Sequence, residues 1–134
     1  MKTFAAAYLS AALSMLILDA VWLSTMAPIL YRPLLQDLLA ESFSLAPAVA
    51  FYLLYVTGIT VLAVLPAIDT GRWTTAAFYG CVLGIVAYGT YDLTNQATLR
   101  VWPVVITVID LCWGAFLTSI TAVAGYCGAR LVRS

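Results

Sequence analysis

Histidine is absent from this 134-residue chain, and lysine occurs once, at position 2. Those two absences remove whole classes of chemistry. Histidine is the commonest metal ligand and the usual general base near neutral pH, so neither a metal site nor a cofactor is expected. With Lys2 the only lysine, no membrane-embedded amine exists to form a Schiff base with retinal or pyridoxal phosphate. Charge is scarce as well: charged residues make up 9% of the chain, the net charge is zero, and neither a basic stripe nor an acidic tail is present. Nucleic acid is therefore not an expected partner. Cys81, Cys112 and Cys127 form no CxxC pair and lie in apolar runs, which reads as buried structural thiols rather than a disulfide or redox centre.

What is abundant is apolar surface, at 64% of residues, in a chain the length of one domain (1–134). Four stretches, about 4–26, 47–66, 74–94 and 104–127, are long enough to cross a hydrocarbon core of about 30 Å. Spans of this kind must be helical, because no water is present to satisfy an open backbone. The expected fold is an all-α integral membrane protein: a four-helix bundle with a short amphipathic helix in the first outer loop. That extra helix is expected in YRPLLQDLLAESF, where Leu34, Leu35, Leu38, Leu39 and Phe43 recur at helical spacing and Gln36, Asp37 and Glu41 form the polar side. Pro33 suits its first turn. The segment reads either as a connector resting on lipid or as a lid. A cleaved signal peptide is not expected, since the first apolar run is too long, contains Asp19 and lacks a small-x-small cleavage site.

Basic residues near the span ends set the orientation. Lys2, Arg72, Arg130 and Arg133 fall on one side, Arg32 and Arg100 on the other, which places both termini in the cytoplasm. The string IDTGR, residues 68–72, reads as a tight turn through Asp69 and Gly71. Gly80 with Gly84, Gly114 with Thr118 and Gly125 with Ala129 form small faces suited to close helix contact, within a monomer or across a homodimer.

Three of the six acidic residues, Asp19, Asp92 and Asp110, lie inside or at the edge of spans. Ionisable groups in a bilayer are costly and ordinarily face a protein interior or an aqueous cavity. At 1.5 Å per residue, Asp19 stands about 25 Å from Lys2, while Asp92 and Asp110 stand about 30 Å from Arg72 and Arg130. The spans alternate in direction, yet the three carboxyls arrive at nearly one level in the outer half of the membrane. Asp19 with Trp22, and Asp110 with Trp113, repeat a DxxW spacing that keeps both side chains on one helix face. Tyr88, Asp92 and Asn95 form a stripe beside Tyr91, and Arg32 and Arg100 lie just outside, within reach of a carboxylate. Three carboxyls at close range do not all ionise cheaply, so at least one is expected to hold a proton. The candidate acid–base residues are thus Asp92, Asp110 and Asp19. The ligand-contacting set is Trp22, Arg32, Tyr88, Tyr91, Asn95, Arg100 and Trp113. Trp73 and Trp102 read as interfacial anchors.

The strings LDAVWL, YRPLL, FYLLYVTGI, GRW, YDLTNQATLRVWP and IDLCWG run in this order through the chain. In this the sequence resembles, over essentially its whole length, a family of small bacterial membrane proteins catalogued as domain of unknown function 2177. The match is carried most distinctively by Thr94, Asn95, Ala97, Thr98, Leu99, Trp102 and Pro103 after Asp92, and by Asp110, Trp113 and Gly114. The resemblance implies a four-helix protein of the bacterial inner membrane and implies no activity. Three readings stay open on the residues. One is a site for an amphiphile such as a lipid, isoprenoid or quinone, with carboxyl acid–base chemistry. Another is a small proton-coupled transporter working as a homodimer. The third is a structural subunit whose polar cluster clasps the helices together. Membrane lipids are the expected partners in each.

Overall fold

Four helices make up nearly the whole chain: α1, Lys2–Leu35; α2, Leu45–Thr70; α3, Trp73–Thr98; and α4, Val104–Leu131. All four are long and apolar enough to cross a membrane. The computed structural model describes residues 1–133, with the side chain of Asp37 outside that description. No strand occurs among the described residues. The all-α bundle is as expected, and each helix runs past the apolar stretch that marks it, except at the start of α4.

Prolines shape the first two helices. α1 contains a π turn at Ala27–Tyr31 and α2 another at Thr60–Val64. Each is closed by the residue directly before a proline: Arg32 N–H donates to the Ala27 carbonyl, and Leu65 N–H to the Thr60 carbonyl. A proline ring has no N–H to give and collides with the carbonyl four residues back. Widening the helix by one residue ahead of Pro33 and Pro66 relieves that collision without breaking the rod.

One consequence concerns the expected amphipathic loop helix. Residues Arg32–Leu35 are the last turn of α1 rather than the start of a separate helix at Pro33. They are followed by a single 3-10 turn, Gln36–Leu38, and by non-helical chain up to Ser44. Leu30 and Leu35 pack with Ile106 into a small apolar core, with Met26, Tyr31, Trp102 and Ile109 against it. The end of α1 therefore roofs one end of the bundle. Of the expected polar side of this segment, Gln36 and Glu41 are exposed and the side chain of Asp37 lies outside the description.

α4 is the centre of the bundle, and α1 and α3 both pack along it. Small residues make this possible. Gly80 and Gly84 of α3 face Gly114, Thr118, Ser119 and Ala122 of α4, and a Cβ at Gly80 would come within 2.7 Å of the Thr118 carbonyl oxygen. Gly125 and Gly128 of α4 face Ala6, Ala7, Ser10 and Ala11 of α1. These contacts are all within one chain. The main core joins Met15, Ile59, Val64 and Leu117 at the bundle axis.

Outward-facing positions are also apolar, as in Leu13, Phe78, Val86 and Phe116. Cys112 and Cys127 are exposed on those faces and Cys81 is half-buried, which corrects the expectation of buried thiols. The reason is general: lipid is as apolar as the core, so an apolar run does not say which side of a helix is inside. Both termini and the α2–α3 turn share one end of the bundle, where Gly71 takes a φ of 67° and Tyr126 Oη donates to its carbonyl at 2.7 Å. Asp19, Asp92 and Asp110 lie toward the opposite, distal end.

Candidate functional site

The repeated DxxW spacing resolves into a contact between two helices. Trp22 of α1 and Trp113 of α4 stack with ring centroids 4.2 Å apart and 8° between their planes. The stack pins α1 and α4 in register at the level of Asp19 and Asp110. Trp22 Nε1 donates to Tyr31 Oη at 3.0 Å, and Tyr31 Oη donates to Asp110 Oδ1. In an unbroken helix residues nine apart face opposite sides, at about 3.6 residues per turn. The π turn beneath Tyr31 removes that constraint and lets its ring reach back over Trp22. Tyr31→Phe removes the donor to a buried carboxyl and is expected to cost about 1–3 kcal/mol, read as a lower melting temperature in detergent. An unchanged melting point would show that Asp110 keeps another donor.

Asp92, from α3, is 0% exposed, and neither of its oxygens has a hydrogen-bond donor. The polar group within its reach is another acceptor, the Asp110 carboxyl. Ionised carboxyls only accept, so a hydrogen bond between these two exists only while one of them carries a proton. The Trp113 Nε1 donor is buried without a partner too. An unmatched acceptor and an unmatched donor thus share this layer.

Asp19 stands apart from the pair. It is 8% exposed and accepts a hydrogen bond from Tyr52 Oη of α2. Among the described residues, no group of three acidic or cysteine side chains is placed to hold a metal ion. Tyr88 lies between the two carboxyl sites, near both Asp19 and Asp110. Its ring rests against Gly114, where a Cβ would collide with it. The neighbouring Tyr55 shares a 2.7 Å hydrogen bond with Thr118 Oγ1, which ties α2 to α4.

Beside this layer, α2 and α3 leave an apolar groove of about 390 Å³ lined by Phe51, Ala87, Tyr88 and Tyr91. Tyr91 is exposed while Asp92, the next residue, points inward; successive helical residues are turned about 100° apart. Asp92 therefore sits behind the groove wall. Asn95 is half-buried within reach of Tyr91. Of the residues expected to gather here, Asp92, Asp110, Trp22, Trp113 and Tyr88 form one layer, with Tyr91 and Asn95 at its edge. Arg32 and Arg100 are exposed and are not among the charged neighbours of Asp92 or Asp110.

Tyr31 and Tyr52, which donate to two of the three carboxyls, carry no signal in sequence beyond being tyrosines in apolar runs. Trp102 has an internal role: Nε1 donates to Thr107 Oγ1 at 3.1 Å, Thr107 Oγ1 donates to Gln96 Oε1 at 2.8 Å, and the ring meets Tyr91 edge-on. This bracing holds the α3–α4 connection beside the site. Trp73, by contrast, is 58% exposed at the end that carries the termini.

Four spanning helices around a buried layer of carboxyl and aromatic side chains define a membrane protein of the helical-bundle class. The chain belongs to the family described as Predicted membrane protein (DUF2177), whose model matches residues 4–127. No curated protein and no solved structure matches it.

Proposed function

We propose that the protein binds an amphiphilic molecule of the bilayer, such as a lipid, isoprenoid or quinone-like compound. Its apolar body lies in the groove between α2 and α3, and its polar head meets the Asp92–Asp110 layer. The observation that carries this reading is Asp92, fully buried with both oxygens lacking a donor. An unmatched buried acceptor costs about 1–3 kcal/mol, so bundle stability alone does not account for it, and ionisable groups in spans mark functional positions. The groove volume falls in the range of small-molecule sites, with apolar walls and few polar groups. Lys2, Arg72, Arg130 and Arg133 at the terminal end, against Arg32 and Arg100 at the other, favour cytoplasmic termini in a bacterial inner membrane. The groove then opens in the outer half.

A carboxyl pair sharing a proton supports one reaction class in particular. Moving a double bond requires a proton added at one carbon and another removed from a carbon nearby. A neutral carboxyl and a carboxylate side by side supply and accept these protons with no further reactant. The dimeric transporter reading loses support here, since the Gly80–Gly84 face on which a dimer would rest is covered by α4.

The test is mass spectrometry of small molecules released from protein purified in native-membrane nanodiscs. A distinct amphiphile enriched over bulk lipid is expected, and it should be lost in Ala87→Trp, which fills the groove. Bulk lipid in identical proportions from both proteins would sink the proposal.

A further inference from the structure

A second cavity lies at the other end of the bundle, outside the carboxyl layer. It measures about 320 Å³ and is lined by Ile68, Gly71, Tyr126, Arg130 and Arg133. Tyr126 is 4% exposed and organises it. Its hydroxyl donates to the Gly71 carbonyl at 2.7 Å and accepts from Arg130 Nη1 at 3.4 Å, and the Arg130 guanidinium lies 6.0 Å from the centre of its ring. The α2–α3 turn and the last turn of α4 are thus joined through one phenol, which holds Arg130 at the cavity wall. Arg130 keeps further N–H donors beyond that bond, and the Arg133 side chain makes no hydrogen bond or ion pair among the described residues. Arg72 is exposed next to Gly71, and Asp69 is the acidic residue of the turn, so positive charge prevails here.

A preference for basic residues at one membrane face explains the arginines but not a concavity lined by two of them. Guanidinium groups present several donors in a fixed plane that matches phosphate oxygens. The cavity lies at the helix ends, the level at which spans of this length meet the headgroup layer of a bilayer, and Ile68 gives it an apolar side. Basic pockets at this depth recognise anionic headgroups. We propose that this pocket holds the phosphate of an anionic phospholipid in the leaflet that borders both chain termini. The inference does not depend on the amphiphile site: either can fail while the other stands.

Delipidated protein in nonionic detergent is titrated with phosphatidylglycerol, with phosphatidylcholine and with inorganic phosphate, and bound lipid is counted by native mass spectrometry. Phosphatidylglycerol should bind about tenfold more tightly than phosphatidylcholine. Arg133→Gln should reduce that preference and Arg130→Gln with Arg133→Gln should abolish it. Lys2→Gln, which removes the same charge at the same end but outside the cavity, should leave it intact. The Arg133 side chain has no bond to lose among the described residues, so its variant keeps the test valid if Arg130→Gln fails to fold. A preference that survives the double change, or that falls equally in Lys2→Gln, overturns the proposal. Competition by millimolar inorganic phosphate as strong as that by lipid would assign the pocket to a soluble anion and overturn the lipid assignment.

Discussion

Gly84→Ala is expected to prevent folding or to lower stability by about 3 kcal/mol or more, at or beyond the upper end of ordinary overpacking. A Cβ at Gly84 would run into the backbone carbonyl of Gly114 and lie 2.8 Å from Thr118 Oγ1. A side chain could rotate away, but a helical carbonyl cannot without breaking its own ladder. Retreat of α4 would lift Gly114 off the Tyr88 ring of α3 and drive α4 against α1, which packs closely on it at Gly125 and Gly128. Separating α3 from α4 would also draw Asp92 away from Asp110. Gly58→Ala is the control: no atom lies within 4 Å of a Cβ there, and the change should be neutral or stabilise by about 0.5–1 kcal/mol through the helix preference of alanine. Unfolding of the two variants in detergent, by heat or by titration with a denaturing surfactant, makes the comparison. Equal loss in both would show that close approach at Gly84 is not what holds α3 to α4.

Asp92→Leu should raise the melting temperature and Asp92→Asn should leave it nearly unchanged, while both lose the bound amphiphile. The sign follows from the hydrogen-bond inventory. Asp92 accepts no bond from an N–H or from a serine, threonine or tyrosine hydroxyl, so removing its carboxyl gives up only the proton shared with Asp110 and relieves a desolvation penalty of about 1–3 kcal/mol. Asp110 is not left as an unpaired member of an ion pair, because two carboxyls side by side disfavour each other's ionisation, and removing one lifts that repulsion. Asp110 keeps its bond from Tyr31 in either variant. A helix clasp predicts the reverse: loss of Asp92 would lower stability, and any loss of function would track the loss of folded protein. Melting temperature and ligand retention measured on the same preparations separate the two, and a fall of several degrees in Asp92→Leu would place Asp92 among the residues that hold the bundle together.

Much of the site is legible in the sequence because a membrane helix turns residue number into height. Counting at a fixed rise from the basic end of each span brings Asp19, Asp92 and Asp110 to one level, and the structure places all three toward the distal end. The two DxxW pairs were visible for the same reason, since three-residue spacing keeps side chains on one face, and the stacked Trp22–Trp113 contact joins those faces. Rotation is the coordinate that counting leaves open. Nothing in the spacing tells whether Asp92 meets Asp110 or Asp19, whether Tyr52 or an arginine answers the remaining carboxyl, or whether Cys112 looks at lipid or at the core.

Local composition therefore determined four membrane helices, their approximate heights, the turn at Gly71 and the depth of the carboxyl layer. These follow from hydrogen-bond satisfaction in hydrocarbon and from helix rise, both properties of short stretches of chain. The tertiary structure decided the rest. It turned the Gly80–Gly84 face toward α4 rather than toward a second copy, because the small residues of α4 were there to meet it. It also carried α1 through a π turn at Ala27–Tyr31, so that Tyr31 reached Asp110. And it left Asp92 facing the Asp110 carboxyl, with no N–H or tyrosine, serine or threonine hydroxyl among the described residues placed to bond it.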